Sequence, residues 1–99
     1  MRDAAADRIK RDAQMCATLL RQMYALDFSI WGSSHVAANQ QQHVYAMMLE
    51  ANKKLVEVRN IINGWDDISK GNIDDEEKKL MAEIKRAIQA AGTRRYDHV

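Results

Sequence analysis

The sequence predicts an all-α protein: an antiparallel up-down-up three-helix bundle, made of a long helical hairpin plus a shorter third helix. Three observations predict it. The chain has no proline, four glycines and fourteen alanines, so it is rich in the residue helices favour most and poor in the breakers that strands and turns need. Apolar residues recur in steps of three and four along three long segments, with no period-two alternation to compete. The breaks between segments are short, and short connections make consecutive helices antiparallel neighbours.

The first segment, residues 3–31, repeats Ile9, Ala13, Cys16, Leu19, Leu20, Met23, Leu26 and Ile30 on one helix face. Gly32 follows the last apolar turn where a left-handed helix stop is expected, and Ser33 or Ser34 suits the cap of the next helix. The second segment, residues 35–63, carries Ala37, Val44, Met47, Met48, Ala51, Leu55, Val58 and Ile62 on one face. A second apolar stripe, Ala38, Tyr45, Leu49 and Val56, is separated from the first by the polar seam of Gln41, Asn52 and Arg59. A helix apolar on two sides is expected at the centre of a bundle. Asn63 and Gly64 end the repeat, and Trp65 and Ile68 are expected to tuck the following loop onto the bundle.

The third segment opens at Asn72 or Asp74, and Asp74 with Glu77 has the spacing of a capping box. Ile73, Leu80, Met81, Ile84, Ala87, Ile88 and Ala91 form the cleanest stripe in the chain, which stops at Gly92. Residues 1–92 are thus read as a single helical domain, with 93–99 set apart as a tail of no apolar period. The third helix is shorter than the other two, so part of the hairpin is expected to stay uncovered and open to a partner.

Composition narrows the function classes. At 46% hydrophobic and 29% charged residues, the chain is apolar enough to fold and charged enough to dissolve. A net charge of +1 argues against an acidic DNA mimic and against a strongly basic duplex binder. Cys16 is the only cysteine, which rules out an intrachain disulfide and makes a reducing cytoplasm the expected setting. No run of eighteen apolar residues and no apolar leader is present, so no membrane partner is expected.

Phosphate-binding glycine loops, a nucleophile elbow, paired cysteines and a helical His-Glu zinc motif are all absent, and no enzyme is expected. His35, His43 and His98 with Cys16 lack the spacing that would let them share an ion, so neither a metal nor a cofactor is expected.

The residues singled out are Tyr24, Phe28 and Trp31, spaced by four and three beside the ordinary core stripe of Met23, Leu26 and Ile30. Together the two stripes cover more than half the helix circumference, which exceeds what one bundle seam buries and points either to a second helix packing there or to an intermolecular surface, the latter being the expectation carried forward. Asp27 lies within this turn, at the angular position of Ile9, Cys16 and Leu20, where a carboxylate needs a partner such as His35, Gln41, Arg94 or Arg95. A basic patch of Lys85, Arg86, Arg94 and Arg95 is the only feature that favours nucleic acid, and a solvated helix face explains it more simply. The adjacent Trp31 and Gly32 lack the residue that the Trp-x-Gly turn of the secreted hundred-residue helical hairpins places between them, and that family is set aside. In general type the chain is similar to the small accessory proteins of phages and mobile elements, several of which inhibit a host defence complex by binding it.

The expected function is therefore a small non-enzymatic protein-binding module, self-associating as a homo-oligomer, that inhibits or adapts a larger protein complex. The competing readings are a nucleic-acid-associated factor and a small-ligand binder centred on Asp27.

Overall fold

The computed structural model describes residues 4–32, 41–65 and 74–91, and within these residues the chain forms three α-helices: α1 (Ala4–Trp31), α2 (Gln41–Asn63) and α3 (Asp75–Ala91). The expected serine cap, the first turn of the second segment, Ile68, Gly92 and the 93–99 tail all lie outside the described residues. Within them the chain is the predicted all-α, up-down-up three-helix bundle, and α1 packs against both other helices. No helix among the described residues is long and apolar enough to cross a membrane.

The register follows from a few contacts. Trp65, just beyond α2, packs with Ile9 near the start of α1, and Gln22, Ala25, Leu26 and Ser29 share a groove with Glu50 and Lys54. These contacts set α1 and α2 antiparallel. Lys10 reaches Glu77 at 3.9 Å, while Cys16, Leu20 and Met23 share a cluster with Ile88 and Ala91 farther along. These set α1 and α3 parallel.

The larger core cluster joins Cys16, Leu20, Met23 and Ile30 of α1 to Ala51, Leu55 and Val58 of α2 and to Ile88 and Ala91 of α3. These are the residues the helical period selected. A second, smaller cluster of Ile9, Trp65 and Met81 closes the other end. Trp65 is fully buried there, and its indole Nε1 donates to Asp12 Oδ2 at 3.0 Å. A buried indole brings a large apolar surface and one donor, and Asp12 satisfies that donor. Arg8 Nε stands 3.7 Å from the same carboxylate oxygen, which steadies it for the bond. Trp65 therefore pins the end of α2 to the beginning of α1.

Two expectations need correction. Gly32 is not a left-handed stop: its φ lies outside that region and its N–H bonds Phe28 O at 3.0 Å, continuing the helical pattern. The second stripe of α2 does not face another helix, because Tyr45, Leu49 and Val56 are exposed. The central helix is α1, which meets both neighbours, whereas α2 and α3 touch sparingly.

Glu77 takes part in the cap and in the helix seam. Asp74 caps α3 as expected, its Oδ1 accepting from Glu76 N at 3.0 Å and Glu77 N at 3.2 Å. The Glu77 side chain, however, is buried in the α1–α3 seam beside Lys10. It shares the helix face of Met81, Ile84 and Ile88, at steps of four, three and four, and burial follows from that position.

Candidate functional site

The site begins where α3 ends. On α1 the row facing α3 runs through Lys10, Ala13 and Ala17, which line a groove of about 460 Å³ with Leu80, Glu83 and Ile84. Steps of seven bring a helix back to nearly the same face, so the row through Lys10 and Ala17 continues to Tyr24 and Trp31. Counting along the two parallel helices from the Lys10–Glu77 pair, Ala91 comes level with Tyr24. Beyond that level the row has no α3 residue of the helix to meet.

The side chains there are open to solvent. Phe28 is 82% exposed, Trp31 73% and Tyr24 45%, and at the same end of α2 Tyr45 is 49% and Leu49 47% exposed. Counted from the Leu26–Glu50 groove, Tyr45 is level with Trp31 and Leu49 with Asp27. Single exposed apolar residues are ordinary on any protein, whereas a group gathered at one end of a hairpin is a candidate for binding another surface or a ligand.

Asp27 is separated from the other three. It is buried, together with Asn52 of α2, and both have interaction partners. Of the partners the sequence suggested for Asp27, Gln41 is exposed, and His35, Arg94 and Arg95 lie outside the described residues. The groove between α1 and α3 lies away from Asp27. Lys85 and Arg86 are exposed on the outer side of α3, as solvated residues of an amphipathic helix are. The other two members of the basic patch, Arg94 and Arg95, are outside the described residues.

The sequence did not single out the Trp65–Asp12 bond or the contribution of Tyr45 and Leu49 to the exposed end. The signal for the latter was the difference in helix length, since α3 has 17 residues and α1 has 28.

His43 is exposed while Cys16 is buried, and among the described residues no group of three or more histidine, cysteine, aspartate or glutamate side chains could hold a metal. Burial, with a lesser contribution from the Asp12 carboxylate, pushes the Cys16 thiol from an ordinary 9.0 up to about 11. It therefore stays protonated at neutral pH, and a protonated thiol is a poor nucleophile.

The raised value has a consequence for stability. The unfolded chain loses this proton near pH 9.0 and the folded chain near pH 11. The contribution is therefore complete below pH 9.0 and is lost as pH rises through about 11. Denaturant melts across this window should show a steeper fall in stability for wild type than for Cys16→Ala. The same substitution should leave association at the exposed end unchanged.

No family model matches the sequence, and no curated protein or solved structure is significantly similar to it.

Proposed function

We propose that this chain is a non-enzymatic helical protein-binding module, self-associating, that uses the apolar end of its hairpin as its protein contact surface and acts as an inhibitor or adaptor of a larger complex. The observation that carries this reading is the exposure of Phe28 and Trp31 on the α1 face whose earlier half packs against α3. A row that faces α3 but runs on past its end is an unfilled packing surface, and aromatic residues in such places often dominate binding energy. A reducing cytoplasm is part of the same reading, resting on the single buried thiol of Cys16.

The test is the double substitution Phe28→Ser with Trp31→Ser. Both side chains are mostly in water, so helicity and a cooperative melt should survive, while a stoichiometric partner captured by wild type from its native cell should be lost. Circular dichroism and thermal melts run beside the capture. A variant that unfolds would show the aromatics to be core, and a folded variant that keeps the partner would sink the reading.

A further inference from the structure

The exposed end is unusual in charge as well as apolarity. Charged residues make up 29% of the chain, yet residues 24–31 and 41–49 include one lysine, arginine, aspartate or glutamate between them, Asp27, and it is buried. Farther along α1 and α2 the outward faces of the described residues carry charges, such as Asp7, Arg11 and Arg21 on α1 and Lys53 and Glu57 on α2. Loss of charge with enrichment in aromatics is the composition of the centre of a protein interface.

We propose that the occupant of this end is a second copy of this chain. Two hairpin ends meet about a two-fold axis near Phe28, so that α1 and α2 of one protomer and α1 and α2 of the other form a short four-helix layer. The inference rests on the protein-binding reading above and names its partner.

Three properties of the surface favour a copy of itself. Among the described residues the patch exposes no charge, so it offers no complement to a charged partner and no repulsion to its own kind, which suits the isologous contact of a two-fold dimer. Its aromatic side chains supply a large share of the area a dimer needs: a fully open aromatic side chain offers roughly 150–250 Å², so at their observed exposures Tyr24, Phe28, Trp31 and Tyr45 leave roughly 500 Å² open. That is more than half of the roughly 800 Å² that each partner contributes to a standard interface. The geometry also limits the overlap. The stretch from Tyr24 to Trp31 rises about 10 Å, or two helical turns, and the end of α3 at Ala91 stops a partner helix from sliding farther along the row.

The test uses charge at the proposed axis. Wild type is expected to be a dimer by light scattering and sedimentation equilibrium. Phe28→Lys and Phe28→Glu should each remain folded, because the position is open to solvent, and each should raise the dissociation constant by roughly 100-fold or more. An equimolar mixture of the two variants should recover the dimer, since opposite charges then meet across the axis.

A wild type that stays monomeric at the highest attainable concentration overturns the dimer. So do charged variants that dimerise like wild type, and so does a mixture that remains monomeric. Circular dichroism of each variant separates loss of association from loss of fold. The broader reading fails separately: a monomeric wild type that still captures another protein through Phe28 and Trp31 rejects only the second copy as partner.

Discussion

Trp65→Ala is expected to destabilise the protein by about 3–5 kcal/mol, the cost of truncating a buried aromatic side chain. Trp65 has no exposed surface, fills the cluster with Ile9 and Met81, and bonds Asp12. Its loss leaves a cavity and takes the indole donor from a part-buried carboxylate, and both effects act in the same direction. For a domain of this size the fall in Tm should exceed roughly 12 °C. Trp31→Ala provides the control within the same chain. That indole is mostly in water, and its removal should change the stability of the monomer by no more than about 0.5 kcal/mol. Thermal melts of the two variants, at a concentration where neither associates, check the pair. Equal losses would contradict the opposite burial of the two tryptophans.

Leu55→Ala is expected to cost about 2–5 kcal/mol, against a small effect for Leu49→Ala. The two leucines are on one helix, six residues apart, and differ in what surrounds them. Leu55 is buried in the cluster that joins all three helices, whereas Leu49 is half open at the hairpin end. Urea titration should show the Leu55→Ala midpoint displaced downward with little change in slope, as a cavity in an otherwise intact fold requires. A Leu49→Ala variant as damaged as Leu55→Ala would mean that the outer stripe of α2 contributes to the monomer core.

That contrast marks the limit of what the sequence makes legible. The helical period identifies both stripes of α2 equally well, since Val44, Leu55 and Val58 repeat no more regularly than Tyr45, Leu49 and Val56. Which stripe is buried depends on where the other helices lie, and that is a property of the assembled bundle. On α1 and α3 the outcome was easier to foresee because each has one dominant stripe. Asp27 shares the angular position of Cys16 and Leu20, and it is buried as that position implies. Tyr24, Phe28 and Trp31 were legible as surplus apolar surface. Their exposure required knowing that α3 draws level with Tyr24 at its last residue. Glu77 answers to two local rules at once. Its backbone N–H takes the Asp74 cap, as its spacing from Asp74 implies, while its spacing from Met81 and Ile84 places its side chain in the buried seam.

The burial of Trp65 and the exposure of Trp31 give the molecule two optical environments on one scaffold. The indoles are anchored at opposite ends of the bundle, Trp65 at Asp12 and Trp31 nineteen residues farther along α1, about 28 Å at the helical rise. Trp65 emits from an apolar, water-shielded site and is guarded from collisional quenchers until the fold opens. Trp31 emits from water and is quenched freely until something covers it. Unlabelled protein thus carries separate fluorescent reporters of unfolding and of association, and Trp31→Phe or Trp65→Phe would isolate either signal.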